Sequence, residues 1–180
     1  MSAPTGPRFL ALGDSYTIGE GVAPEARWPN QVAARLRASG VETADPEIVA
    51  VTGWTTDELD AGIDEASPEP PYALVTLLIG VNNQYRGRPL NEYREQFRGL
   101  LARAIGFASG DASRVVVVSF PDWGVTAFGR ADARGPEAIA EEVDAFNAIA
   151  QEEADAAGAR WISITALSRM QGAMTVDDDL

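Results

Sequence analysis

Three residue types that often carry enzyme chemistry are missing from this chain: cysteine, histidine and lysine. Without cysteine there is no disulfide, no thiol nucleophile and no cysteine-based metal site. Without histidine the chain has none of the side chain that most often serves as a general base or a metal ligand. We therefore expect neither a bound metal nor a cofactor, and any hydrolytic function has to explain where its base comes from.

Positive charge is also scarce. The 14 basic residues are all arginine, and 27 acidic residues outnumber them, which gives a formal net charge of −13. Nucleic acids and anionic membranes bind clustered cations, so this balance argues against both as partners. No apolar run approaches the roughly 20 residues of a membrane-spanning helix. The N-terminus has Pro4, Gly6 and Pro7 where a signal peptide would have a basic start and an apolar run, so we expect a cytoplasmic protein.

The apolar residues are distributed as in an α/β domain. Five short apolar runs predict strands over residues 9–12, 48–51, 73–79, 115–119 and 161–164. Their continuous, non-alternating pattern is typical of a parallel sheet that is covered on both faces. Amphipathic patterns between the runs predict helices. With 46% hydrophobic residues and no linker or repeat, residues 1–180 are predicted to form one three-layer α/β/α domain.

Ligands of such sheets bind at the carboxyl ends of the strands, so the residues that follow each strand are candidate site residues. Ser15 follows the first strand and is either a hydroxyl exposed in the crevice or a helix cap. Gly53 follows the second strand, where it either exposes a backbone N–H or simply permits a turn. Asn82 and Asn83 follow the third strand, where their amides either donate to an oxyanion or form an Asx turn.

Taken together, these positions resemble the SGNH (GDSL-type) hydrolase family. The resemblance extends over residues 12–21 (LGDSYTIGEG), 27–29 (RWP), 79–87 (IGVNNQYRG) and 121–124 (PDWG). It implies a flavodoxin-like, doubly wound sheet of five parallel strands and a serine ester hydrolase. It assigns Ser15 as the nucleophile, and the backbone N–H groups of Ser15 and Gly53 with the side-chain amide of Asn82 as the oxyanion hole. One departure is Asn83, which stands where many members have Asp.

The last block of the family is Asp-x-x-His, in which His is the base and Asp orients it. The chain ends with Asp177, Asp178, Asp179 and Leu180, so a His in the next position would complete the block with Asp178 as the orienting carboxylate. We therefore expect that the sequence stops one residue before the base, and also before the helix that follows this block. Such a chain would be nearly inactive. The alternative is that the terminal aspartates are a solvated acidic tail.

The resemblance implies a small-molecule ester as the partner, with an acyl or acetyl group to be cleaved. The candidate substrate contacts are Asp14, Tyr16, Trp54, Asn83, Tyr85 and Trp123. The competing hypothesis is a non-catalytic member of the same fold that binds carbohydrate or acyl groups. A nucleotide-binding domain is disfavoured, because no glycine-rich phosphate loop follows any predicted strand and Asp14 places a carboxylate where a phosphate would lie.

Overall fold

The computed structural model describes residues 6–170. Within them, the strands are β1 (Phe9–Gly13), β2 (Glu47–Ala50), β3 (Leu74–Leu78), β4 (Val115–Val118) and β5 (Arg160–Ile162). They form a parallel sheet in the order β2-β1-β3-β4-β5. This is the flavodoxin-like strand order, so the predicted fold is confirmed. The predicted second and fifth strands are displaced by one or two residues, and Val51 and Ile164 lie outside them.

Eight helices connect and cover the described strands. They are α1 (Ser15–Ile18), α2 (Trp28–Ala38), α3 (Thr56–Ala66), α4 (Val81–Tyr85), α5 (Leu90–Phe107), α6 (Ala127–Ala131), α7 (Pro136–Ala157) and α8 (Thr165–Met170). Short 3-10 turns lie at Pro24–Ala26, Ala112–Arg114 and Trp123–Val125. Helix α5 packs against both α3 and α7, which places these three on one face. Crossovers between parallel strands are right-handed. The crossover from β1 to β2, which contains α2, runs toward the β2 edge of the sheet, whereas the later crossovers run toward the β5 edge. Helix α2 therefore lies on the other face.

The core lies between the sheet and helices α3, α5 and α7. All five residues of β1 are buried, and β1 has a hydrogen-bonded strand on each side. The apolar spacing on α5 buries Tyr93, Phe97, Leu100, Leu101 and Ala104, as the sequence pattern predicts. Helix α7 ends at Gly158, whose positive φ of 75° lets its N–H close the last turn. The buried, paired strands therefore fix the positions of their carboxyl ends, where the candidate site lies.

None of the helices within residues 6–170 is long and apolar enough to cross a membrane. Across the same residues, no group of three or more acidic side chains is placed to hold a metal ion.

Candidate active site

Three predicted catalytic positions lie at the same edge of the sheet. Ser15 begins α1 just after β1, Gly53 lies in the loop between β2 and α3, and Asn82 lies in α4 after β3. Because β1 is paired with both β2 and β3, the carboxyl ends of these strands are neighbours. The strand order therefore places a hydroxyl, a glycine turn and an amide side chain at neighbouring strand ends, where ligands of such sheets bind.

The side chain that caps α1 is Asp14 and not Ser15. Asp14 Oδ1 accepts the backbone N–H of Tyr16 over 3.0 Å, which satisfies a donor of the first turn. Ser15 is partly exposed, so its hydroxyl is not used as a cap. Gly13 permits the turn, because the space of a Cβ there is taken by the Thr17 hydroxyl and the Leu78 carbonyl.

The Asp14 carboxyl is an unusual group next to the candidate nucleophile. It is fully buried, and burial raises its pKa to about 7, although the N–H of Tyr16 partly offsets this. Its second oxygen, Oδ2, has no hydrogen-bond partner among the described residues, and neither has the buried hydroxyl of Thr17. Burial, together with the charges of Asp14 and Asp122, raises the pKa of Tyr16 as well. Both residues that flank Ser15 in the sequence are thus ionisable groups whose neutral forms are favoured by burial.

Gly53 lies in a tight turn that requires its backbone conformation. The Trp54 N–H donates to the Val51 carbonyl over 3.3 Å, and Gly53 has a φ of 87° at the third position of this turn. Arg86 Nη2 donates to the Gly53 carbonyl over 2.6 Å, and Arg86 Nη1 lies 3.2 Å from Glu58 Oε2. The turn after β2 is therefore held in place by the side chain of Arg86, the residue that follows α4.

Asn82 lies directly against the same turn. Its Nδ2 donates to the Trp54 carbonyl over 2.9 Å, and the residue is only partly buried. A primary amide has two N–H donors, so this bond fixes the orientation of the amide and leaves a second donor. Asn82 has the chemistry that an oxyanion hole requires.

Asn83 has a different environment from its neighbour. It is fully buried, its Oδ1 accepts the Thr56 N–H over 3.1 Å, and its Nδ2 donates to the Thr56 hydroxyl over 2.7 Å. Thr56 is the first residue of α3, so Asn83 satisfies a backbone donor at the start of that helix. Both ends of this amide are used inside the protein.

The aromatic candidates divide into buried and exposed rings. Trp123 is 6% exposed, while Tyr85 is 47% exposed and contacts Trp123 edge-on with 5.5 Å between ring centroids. The Arg134 guanidinium lies 5.1 Å from the Trp123 ring and 5.5 Å from the Tyr85 ring. Phe128 extends this surface at 39% exposure. Tyr85 and Arg134 also line an open depression of about 550 Å³.

Trp54 is partly buried and packs its indole ring against α3, where Gly62 leaves room for it. Its backbone carbonyl, not its ring, is what contacts the Asn82 amide.

A sequence model of the GDSL-like lipase/acylhydrolase family matches residues 11–180 of the chain. The chain belongs to this family. The family resemblance seen in the sequence is thereby confirmed. No curated protein sequence matches the chain significantly.

Solved structures of SGNH hydrolases share the fold. AlinE4, an SGNH-hydrolase family esterase, is 19% identical with a TM-score of 0.74 over 99% of this chain and 87% of that one. TesA is 18% identical with a TM-score of 0.71, over 94% of this chain and 86% of that one. The acetylxylan esterase Axe2 of Geobacillus stearothermophilus is 17% identical with a TM-score of 0.71, over 100% of this chain and 88% of that one.

Three side-chain contacts that hold loops at the strand ends lie beyond the reach of local sequence reasoning. Arg86, Gln84 and Arg169 each hold a crevice loop, and each contacts residues far away in the chain. Only the fold brings such pairs together, so spacing gives no signal for them. The predicted orienting carboxylate, Asp178, lies outside the described residues, as does its neighbour Asp177.

Proposed function

We propose that this protein is a serine ester hydrolase that cleaves acyl or acetyl esters through an acyl-enzyme on Ser15. The observation that carries the proposal is the juxtaposition of three groups at one strand edge. The first is the Ser15 hydroxyl, which does not cap α1, and the second is the glycine turn at Gly53. The third is the Asn82 amide, which uses one N–H to bind the Trp54 carbonyl and has a second N–H for a ligand. The GDSL-like family match and the esterase neighbours support the same activity.

In the proposed reaction, the Ser15 hydroxyl attacks the ester carbonyl and forms a tetrahedral intermediate. The backbone N–H groups of Ser15 and Gly53 and the remaining N–H of Asn82 donate to its oxyanion. Collapse of the intermediate expels the alcohol and leaves an acyl group on Ser15, which water then removes. Because the turn at Gly53 is fixed by Arg86 and the amide by Trp54, the donors need little reorganisation.

A serine hydroxyl is a weak nucleophile and needs a base to take its proton. The 180 residues contain no His, and we propose Asp178 as the carboxylate that would orient the base in an Asp-x-x-His block. In that arrangement the His would pass the Ser15 proton to the leaving alcohol.

Tyr85 and Phe128 are the aromatic side chains best exposed to contact a substrate in this crevice. We propose them as contacts for the acyl chain or a sugar ring. The other candidates, Asp14, Tyr16, Trp54, Asn83 and Trp123, are buried or only partly exposed, so we propose them as structural supports of the site and not as substrate contacts.

The test compares two proteins, the 180-residue chain and an extended chain in which added residues supply a His directly after Leu180. Each is assayed on acetyl and longer-chain p-nitrophenyl esters and on acetylated sugars, and each is treated with a fluorophosphonate. We expect the extended protein to hydrolyse esters and to be labelled on Ser15. Loss of the base lowers turnover by on the order of a millionfold in a serine hydrolase, so the shorter chain should be nearly inert.

Ser15→Ala in the extended protein is the matched control and should abolish both labelling and hydrolysis. Ester hydrolysis that persists in this variant, or its absence from the extended protein on every ester, would contradict the proposal.

The second candidate function is binding of carbohydrate or acyl groups without turnover, which the exposed Tyr85 and Phe128 rings favour. Calorimetric titration of xylo-oligosaccharides into the inactive Ser15→Ala variant distinguishes the two. Tight binding together with an unreactive extended protein would support this second function.

A further inference from the structure

The open depression that Tyr85 and Arg134 line lies at the end of α4. Its volume of about 550 Å³ falls within the roughly 300–1,000 Å³ of small-molecule sites. The loop from α4 to α5 forms one side of it, and the middle of α7 forms another. Arg86 lines the depression and also donates through Nη2 to the Gly53 carbonyl over 2.6 Å. The depression therefore adjoins the turn whose N–H is proposed to bind the oxyanion.

Tyr85 provides an apolar surface in this depression, and its ring is held in place by its neighbours. The residue is 47% exposed, and one part of the ring contacts the buried Trp123 with 5.5 Å between centroids. The Arg134 guanidinium lies 5.5 Å from the centroid of the Tyr85 ring, and Arg134 Nε lies 3.0 Å from Asp132 Oδ1. A ring that is fixed before a ligand binds loses little entropy on binding.

Gln84 fixes the base of the depression to the neighbouring elements. It is 1% exposed, its Oε1 accepts the Trp123 indole N–H over 2.7 Å, and its Nε2 donates to Glu142 Oε2 over 2.6 Å. Arg134 Nη1 lies 3.4 Å from the same Glu142 oxygen. Within the described residues, the other oxygen, Glu142 Oε1, has no hydrogen-bond partner. It is therefore available to accept a hydrogen bond from a ligand.

The charges around the depression are paired. Three guanidiniums line it, and Arg86 lies 3.2 Å from Glu58. Arg88 lies 2.9 Å from Glu92 and 3.5 Å from Asp57. The third guanidinium has the two carboxylate partners described above. Five carboxylates thus surround three guanidiniums, so an anionic ligand would meet a net negative region, and a cationic ligand would lie beside the guanidiniums. A neutral ligand fits this arrangement best.

These surroundings match a sugar ring better than an acyl chain. A sugar ring has a face of C–H groups, which packs on an aromatic ring, and a rim of hydroxyl groups that both donate and accept hydrogen bonds. The Tyr85 ring is suited to the face, and the Arg88 guanidinium with Glu142 Oε1 is suited to the rim. An acyl chain would remove the same polar groups from water without replacing their hydrogen bonds, which costs free energy.

We propose that this depression binds a neutral sugar ring, with Tyr85 as the stacking residue and with Arg88 and Glu142 as the hydroxyl contacts. The inference rests on the proposed function, because it names the substrate of that site as an acylated sugar. It places the sugar on the side of the Gly53 turn where Arg86 lies.

The experiment uses the 180-residue chain itself, because binding of a sugar does not require a catalytic base. Xylotriose and cellotriose are titrated calorimetrically into the wild type and into variants, with trigalacturonate as the anionic probe and octanoate as the acyl probe. We expect Tyr85→Ala to weaken binding of the neutral sugars by about 10- to 30-fold. Tyr85→Phe keeps the ring and should stay within about threefold of the wild type, while Arg88→Gln should weaken binding by about 2- to 10-fold.

Ile162→Ala is the matched control. Ile162 is as exposed as Tyr85, at 50% against 47%, but it lies on the edge strand β5 and does not line the depression. Its affinity for the sugars should equal that of the wild type.

Nuclear magnetic resonance of the wild type locates the bound sugar without a change in the site. The indole N–H signal of Trp123, assigned with Trp123→Phe, should shift on titration because this group bonds Gln84 beside Tyr85. The signal of Trp161, on β5, should not shift. This measurement answers the question even if Tyr85→Ala does not fold.

Three results would each overturn the inference: no binding of either neutral sugar, an unchanged affinity in folded Tyr85→Ala, or tighter binding of trigalacturonate or octanoate in the depression. None of them affects the esterase proposal, which depends on hydrolysis and on labelling of Ser15. An extended protein without Ser15-dependent hydrolysis would refute that proposal, and Tyr85-dependent sugar binding would then support the second candidate function.

Discussion

The Asn82 side chain is oriented by the Trp54 carbonyl, to which its Nδ2 donates over 2.9 Å. This bond links the residue after the Gly53 turn to the amide after β3, so two proposed donors of the oxyanion hole are fixed relative to each other. A preorganised donor costs no reorganisation when charge develops on the substrate, which is why such donors contribute so much to rate.

Asn82→Ala is expected to lower kcat of the active, extended protein by about 10²- to 10³-fold, the usual cost of one oxyanion-hole donor. Asn82 is partly exposed, so its removal should change the free energy of unfolding little. Steady-state kinetics and urea unfolding of the same preparation check both statements. An unchanged kcat would remove Asn82 from the proposed oxyanion hole.

Asn83→Ala is expected to do the reverse. Its removal leaves the Thr56 N–H and hydroxyl without their buried Asn83 partner, so the free energy of unfolding should fall by about 1–3 kcal/mol. The kcat of the molecules that remain folded should stay within a few-fold of the wild type. Adjacent asparagines thus provide a matched pair, and a large loss of kcat in Asn83→Ala at full stability would show that the two roles are not separate.

Gly62→Ala tests the packing of Trp54 on α3. A Cβ at Gly62 would overlap the Trp54 indole, so the variant should lose about 1–2 kcal/mol of stability despite the better helix propensity of alanine. Gly99→Ala in α5 is the control, because nothing lies within 4 Å of a Cβ there, and it should gain about 0.8–1 kcal/mol. Thermal and urea unfolding measure both, and equal effects would contradict the packing.

Asp14→Asn tests the buried carboxyl. Its pKa is raised from 3.8 to about 7, so the folded state keeps a proton that the unfolded state releases between these values. Stability from this group is therefore fully present below pH 3.8 and is lost as the pH rises through about 7. Asparagine mimics the neutral acid and has no such loss.

Urea unfolding of wild type and Asp14→Asn at about pH 5 and about pH 8 should show the variant gaining on the wild type by up to about 1.4 kcal/mol per pH unit. Carboxylates with lowered pKa, such as Glu153 between Arg98 and Arg94, act in the opposite direction but cancel in the difference. A pH-independent difference would mean that Asp14 does not titrate as described.

The sequence predicted the sheet well because its signals are local. Continuous apolar runs identify buried parallel strands, and Ser15, Gly53 and Asn82 follow three of these strands, as the sequence predicted. The short helices α1, α4 and α6 have too few residues for an amphipathic period, and the sequence pattern did not reveal them.

Side-chain partners separated by many residues were not predictable. Asn82 and Asn83 look equivalent in sequence, and only the fold shows that Asn82 bonds the Trp54 carbonyl while Asn83 bonds Thr56. Similarly, Asp122 and Arg169 are 47 positions apart, and neither strand pattern nor motif connects them.

The placement of β1 decides which parts of the protein can move to admit a substrate. Its five residues are buried and hydrogen-bonded to a strand on each side, so we expect β1 to be among the last elements to unfold locally. Ser15 lies just after the end of this strand. The strands therefore cannot separate to make room for a substrate unless the domain unfolds. We therefore expect a substrate to enter past the loops after β2, β3 and β4, while Ser15 keeps its position at the end of β1.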